Sequence, residues 1–198
     1  MHLTAIHAAI GTVISLVASL RTPANLPNGL WRFTLDANGD TVAHSVDNLD
    51  QPDIFARNDP PTSENPALRT RGSVAEIEER CCTPPGAYCF GYYLNHPGVD
   101  QSAVDLENYL NGAFNDLQCS EPTEDLAYGT AVDGALVYLC VDAAEYCESF
   151  SSDDVRTALG EMDAACPAYM AGYYRFNTGE SLQPKLIGKD NAGANICV

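Results

Sequence analysis

From Gly29 to Val46 the chain alternates. Trp31, Phe33 and Leu35 fall on one side of an extended backbone and Leu30, Arg32 and Thr34 on the other, which gives one apolar face. After Asn38-Gly39, Thr41, Ala43 and Ser45 alternate with Val42, His44 and Val46. Asn-Gly supplies the two positive-φ residues of a tight hairpin turn, so the segment predicts a β-hairpin. Asp36-Ala37-Asn38-Gly39-Asp40 has the acidity of a calcium loop, but the sixth position is Thr41 rather than Gly and the twelfth is Asp47 rather than Glu. Turn chemistry is the better reading. Asp47 to Ser73 has no sustained period and is punctuated by Pro52, Pro60, Pro61 and Pro66, the pattern of a flexible linker.

The pattern resumes beyond Cys81. Ala87–Leu94 is aromatic-rich and strand-like. Val104, Leu106, Tyr109, Leu110, Ala113, Phe114 and Leu117 recur at three and four residues, predicting a helix that opens at Asp100 or Ser102 and runs to about Leu117. Tyr128–Val132 and the wholly apolar Ala135–Val141 flank Asp133-Gly134, a turn pair, and the second run has the character of a central strand. A second helix opens at Ser151-Ser152-Asp153-Asp154, buries Val155, Leu159, Met162 and Cys166, and is stopped by Pro167. Gly172–Asn177 and Ala194–Val198 read as strands, and the Gly-, Asn- and Lys-rich stretch between them as a loop. The expected fold class is α+β: a small disulfide-stapled domain of two helices on a mainly antiparallel sheet, preceded by a β-hairpin.

The divisions are residues 1–19, a signal peptide; 20–47, an N-terminal β-hairpin or pro-region; 48–80, a flexible linker; and 81–198, a cysteine-rich α+β domain. The first 19 residues carry no Asp, Glu, Lys or Arg, are too short for a bilayer span, and end in Val17-Ala18-Ser19, with the small residues a signal peptidase prefers. The eight cysteines, Cys81, Cys82, Cys89, Cys119, Cys140, Cys147, Cys166 and Cys197, all lie in the last division. An even count in an exported chain predicts four disulfides, with the pairing left open. No pair has the C-x₂₋₄-C spacing of a zinc site, so no metal is expected. A secreted, extracellular location is the expectation.

The formal net charge is −17, and residues 81–198 hold 17 acids against four bases. A field of that sign repels phosphates, which excludes nucleic acid as a partner, and no later stretch is apolar and long enough to span a membrane. Candidate chemistry is sparse. Beyond the leader only His44 and His96 remain to serve a nucleophilic triad, and His96 precedes Pro97-Gly98 as on an exposed turn. Paired carboxylates of a glycosidase have no signature in sequence spacing, and Asp153-Asp154 is accounted for by a helix start. No catalytic residue and no cofactor is assigned. The ten tyrosines all fall between Tyr88 and Tyr174. Tyr92, Tyr93, Tyr173 and Tyr174, as strand neighbours pointing in opposite directions, are the candidate binding residues, one of each pair facing solvent.

The order of these features is similar to that of small cysteine-rich secreted proteins of filamentous fungi. The features are a leader, a Gly29-Leu-Trp31 hairpin, a helix closing on Cys119, Tyr128-Gly-Thr-Ala-Val-Asp-Gly-Ala-Leu-Val-Tyr-Leu-Cys140, then Cys147, a helix opening Asp153-Asp154-Val155, Met162-Asp-Ala-Ala-Cys166 and Gly193-x-x-x-Cys197. More distantly it resembles the necrosis-inducing effector domain and the killer toxins of smut fungi. That resemblance implies a disulfide-held α/β sandwich, with Cys119, Cys140, Cys166 and Cys197 as core cysteines, and a role in cell death, virulence or killing of competitors. The toxins act through a basic surface, whereas here residues 81–198 offer only Arg156, Arg175, Lys185 and Lys189. The expectation is therefore a monomeric, non-enzymatic, effector-like protein that binds an extracellular protein or a cell-surface or wall component. A membrane-directed toxin and a small hydrolase using paired carboxylates are the alternatives.

Overall fold

The computed structural model describes residues 20–48, 52–56, 85–112, 126–141, 150–176 and 185–197. Among these, ten strands and two helices run in the order β1 (Leu20–Arg21), β2 (Gly29–Leu35), β3 (Thr41–Ser45), β4 (Ile54–Ala56), β5 (Gly86–Tyr93), α1 (His96–Gly112), β6 (Leu126–Val132), β7 (Ala135–Val141), α2 (Ser152–Ala165), β8 (Met170–Arg175), β9 (Leu186–Asn191) and β10 (Asn195–Ile196). Eight strands form one sheet in the order β4-β3-β2-β6-β7-β9-β8-β5, while β1 and β10 form a separate two-stranded ribbon. Every pairing is antiparallel. The α+β class, with two helices on an antiparallel sheet, is as the periodicity predicts.

The hairpin read from Gly29 to Val46 is β2 and β3, and it lies within the sheet. β2 pairs with β3 on one side and with β6 on the other, from Gly29 opposite Ala131 to Phe33 opposite Ala127. Its turn is held by the Asp36 carboxylate, which accepts from the backbone N–H of Asn38 (2.8 Å) and of Asp40 (3.0 Å). These backbone donors hold the Asp36 carboxyl below the usual carboxylate range. Within the stretch read as linker, Ile54–Ala56 forms the edge strand β4, paired with β3.

Both faces of the sheet are covered, which explains why β7 is apolar at every position. Ala135, Val137 and Leu139 meet the helices together with Leu106, Leu110, Val155 and Ala158. Leu136 and Tyr138 meet Trp31 and Phe33 under a lid of Leu20, Leu26 and Ile196 from the ribbon and its flank. A strand buried on both sides loses the polar half of its alternation.

The loop expected between the last two strands is instead interrupted by β9, which pairs with β7 and β8 near the middle of the sheet. Its sequence, Leu-Ile-Gly-Lys-Asp-Asn, looks unlike a central strand because three residues are chosen for their neighbours. A Cβ at Gly188 would lie 2.3 Å from Cζ of Tyr138, so only glycine lets that ring lie flat on the strand. Lys189 and Asp190 are each 1% exposed and each has a partner from another element.

Helix α1 begins earlier than its apolar period indicates. Pro97 sits in the first turn, where its missing N–H removes no helical hydrogen bond, and the Val99 N–H closes the turn on the Asn95 carbonyl (2.9 Å). His96-Pro97-Gly98 is therefore the first turn of the helix rather than a free-standing turn, with His96 exposed as expected. Helix α2 starts as predicted and carries a reciprocal capping box: the Ser151 hydroxyl accepts from the Asp154 N–H, while the Asp154 carboxylate accepts from the Ser151 N–H at 2.7 Å. Replacing Ser151 with Ala should destabilise the protein by about 1 kcal/mol, read as a lower urea midpoint at unchanged m-value.

Among the described residues two disulfides join these layers. Cys89–Cys166 ties β5 to the C-cap of α2 across 77 residues of sequence, and Cys140–Cys197 ties β7 to the residue after β10 across 57. Loops of that length are worth roughly 4–4.5 kcal/mol each on the chain-entropy account. Cys81, Cys82, Cys119 and Cys147 lie outside the described residues.

Tyr109 of α1 stacks near Tyr128 of β6, with ring centroids 6.3 Å apart. Burial raises the Tyr109 phenol to about 12, helped by the neighbouring Tyr128 and Asp47, and burial also raises Tyr128. A phenol whose folded pKa is raised contributes stability that is complete below the unfolded value of 10.0 and is lost as pH rises toward 12. Stability should therefore fall between pH 10 and 12, and ultraviolet titration should show late-ionising tyrosines. Tyr109→Phe should flatten that fall.

Candidate functional site

The four tyrosines named from sequence converge on one margin of the molecule, where β8 pairs with the edge strand β5. On β8, Tyr173 and Tyr174 take opposite faces, as strand geometry requires. Tyr173 packs toward the ribbon-side core and stacks on Tyr88 of β5 (4.8 Å between centroids, planes 20° apart). Tyr174 packs toward the helix side and meets Phe176 edge-on at 4.9 Å. Both are half-buried, so neither ring of this pair is the solvent-facing one expected.

On β5 the expected split of one ring in and one out does not occur. Gly91 adopts φ +86°, and the β5–β8 register shifts between Cys89 and Tyr93. A bulge of this kind adds a residue to one strand and re-aims the side chains beyond it. Tyr92 and Tyr93 are consequently both exposed, at 38% and 62%. The bulge also lets Tyr92 reach across the sheet, and its hydroxyl donates to the Asp190 carboxylate. Asp190 accepts in addition from the Asn191 N–H (2.7 Å). Phe90 links the rings into a series, lying 5.9 Å from Tyr173 and 6.3 Å from Tyr92. Tyr88, Tyr173, Phe90 and Tyr92 thus form a continuous aromatic row on a strand pinned by Cys89–Cys166.

A second ring pair lies beside it, between the first residue of α1 and the segment that joins α2 to β8. His96 stacks on Tyr169 at 3.9 Å, and the Tyr169 hydroxyl donates to Asp100 (3.2 Å). That hydrogen bond and the Asp100 charge raise the Tyr169 phenol above its ordinary value. Tyr169 has φ +61°, and its carbonyl accepts from the Leu94 N–H (2.9 Å), so the left-handed residue is tied to the end of β5.

The two lysines of residues 81–198 are engaged inside the structure. Lys189 pairs with Asp163 of α2. Lys185 pairs with Asp154 at 2.6 Å and lies over the Phe150 and Phe176 rings at 4.9 and 5.2 Å. Burial acts to raise the Asp154 carboxyl, but hydrogen bonds from Lys185 and Ser151 outweigh it and hold the group below its ordinary value. Arg156 bridges Glu107 of α1 (2.9 Å) and Asp153 (2.8 Å).

One arrangement was not visible in the sequence. His44 contacts the Thr34 hydroxyl through Nε2 (3.0 Å) and Asp53 through Nδ1 (2.8 Å). The order hydroxyl, imidazole, carboxylate is that of a nucleophilic triad. Thr34, however, is buried within β2, and the chain of contacts runs from β2 through β3 to the residue preceding β4. Its visible effect is to fasten the edge strand. Asp53 lay in a stretch without periodicity, so nothing in the sequence paired it with His44.

Among the described residues no three His, Cys, Asp or Glu side chains gather as a metal site, and no helix is long and apolar enough to cross a membrane. No family model, curated protein or solved structure matches the chain.

Proposed function

We propose that this is a secreted, non-enzymatic, effector-like protein that binds an extracellular or cell-surface component through the β5 margin. The observation that carries this reading is the pair Tyr92 and Tyr93, two exposed aromatic residues adjacent in sequence on a strand fixed by the sheet, a bulge and a disulfide. Exposed aromatics on a rigid support lose little entropy on binding, which is why such residues dominate recognition surfaces. Secretion is supported by the charge-free leader and by the oxidised cysteines, which persist in exported proteins. The membrane-directed toxin reading gains nothing from Lys185 and Lys189, because both are paired inside the structure.

The test is retention of the purified, disulfide-intact protein on intact plant and fungal cells, with the reduced and alkylated protein as control. Saturable retention of the oxidised form alone on either cell type is the expected result. Equal retention of both forms, or none by either at micromolar concentration, would overturn the proposal.

A further inference from the structure

Resting on that reading, we infer that the component bound at the β5 margin is a neutral glycan. Three properties of the margin select this chemistry. The first is size. A stable protein–protein interface covers about 800 Å² on each partner around an apolar centre, whereas among the described residues the exposed large apolar side chains are Tyr92 and Tyr93, with Phe55 on the opposite edge of the sheet and Val104 on α1. Two rings are a small centre for a protein interface but match the footprint of one or two sugar units.

The second is the combination of groups. The C–H face of a pyranose carries slight positive charge and packs on the electron-rich face of an aromatic ring. Its hydroxyls need donors and acceptors held in place beside the ring. Tyr92 supplies a ring and an acceptor: its ring is exposed, and its hydroxyl, whose proton goes to Asp190, can accept from a sugar hydroxyl; Asp190 is 1% exposed and is also fixed by the Asn191 N–H. A buried carboxylate that orients a surface phenol is a built feature of the margin, and the Tyr88–Tyr173–Phe90 row supports the ring from behind.

The third is charge. Asp190 and Asp100 each hold a tyrosine of this margin, and the whole chain carries a net charge of −17. Phosphorylated, sulfated or uronate polymers are repelled by such a field, and an uncharged polyol is not.

The experiment is calorimetric titration of the disulfide-intact protein with soluble hexasaccharides: β-1,4-glucan, β-1,3-glucan, β-1,4-N-acetylglucosamine and β-1,4-mannan, with α-1,4-galacturonate as the anionic arm. At least one neutral hexamer should bind. Tyr93→Ala, which removes an exposed ring without opening the core, should weaken that binding about tenfold, equivalent to losing one stacking contact. Tyr92→Phe keeps the ring and removes the hydroxyl, and should weaken it by a smaller factor. Binding of galacturonate alone, of no sugar, or equal binding by wild type and Tyr93→Ala would overturn the inference. Retention on cells without binding to any neutral sugar would remove the glycan and leave the binding role standing. Loss of both would remove both.

Discussion

Trp31→Ala should lower stability by about 3–5 kcal/mol and the melting temperature by roughly 10 °C, although the residue lies 50 positions before the first cysteine. Trp31 is 1% exposed, its indole N–H donates to the Pro27 carbonyl (3.0 Å), and its ring belongs to the cluster that includes Phe33, Leu136 and Tyr138. β2 sits between β3 and β6, so the cysteine-free segment supplies interior strands of the sheet. Differential scanning calorimetry of the disulfide-intact variant measures the effect. An unchanged transition would mean that β2 is dispensable to the core. Phe55→Ala, at a side chain 64% exposed on β4, should stay within about 0.5 kcal/mol.

The second large effect is an asymmetry between the partners of one ion pair. Lys189 is 1% exposed, whereas the Asp163 side chain is 40% exposed. Asp163→Ala leaves an ammonium group buried against α2 without its carboxylate. Breaking a fully buried pair in this way costs about 3–5 kcal/mol, and solvent access to Asp163 reduces the expected loss to about 2–3 kcal/mol. Lys189→Met fills the same space with an uncharged chain and leaves a carboxylate that water can reach, so its cost should be within about 1 kcal/mol. Chemical denaturation of the two variants decides the matter. Equal losses would show that the pair contributes through packing alone.

These residues also show why parts of the fold were legible and parts were not. The β2–β3 hairpin, β7 and both helices come from period, turn pairs and caps, which act between neighbours in sequence. β9 was hidden because Gly188, Lys189 and Asp190 answer to Tyr138, Asp163 and Tyr92, each on another element. Helix periodicity placed the start of α1 too late, since a first turn containing Pro97 and Gly98 contributes no apolar stripe. β4 was hidden in a stretch read as linker, because three residues are too few to show a period.

The margin was legible to the same degree. Aromatic enrichment singled out Tyr92, Tyr93, Tyr173 and Tyr174, and they do share one margin. What alternation could not foresee is the bulge at Gly91, which exposes both rings of the first pair. Nor could it foresee the distant carboxylate of Asp190 that fixes one of them. The nearest signal is a glycine inside a strand pattern, which marks a bulge; β9, Leu-Ile-Gly-Lys-Asp-Asn, offered no apolar run against which Asp190 would stand out.

The most direct test of the account is cell-surface retention of the disulfide-intact Tyr93→Ala variant beside wild type, with Val104→Ala on α1 as a control of similar exposure. If the β5 margin is the binding surface, Tyr93→Ala loses about tenfold in retention while Val104→Ala matches wild type. Identical retention of all three proteins would contradict the account and place the contact surface elsewhere on the molecule.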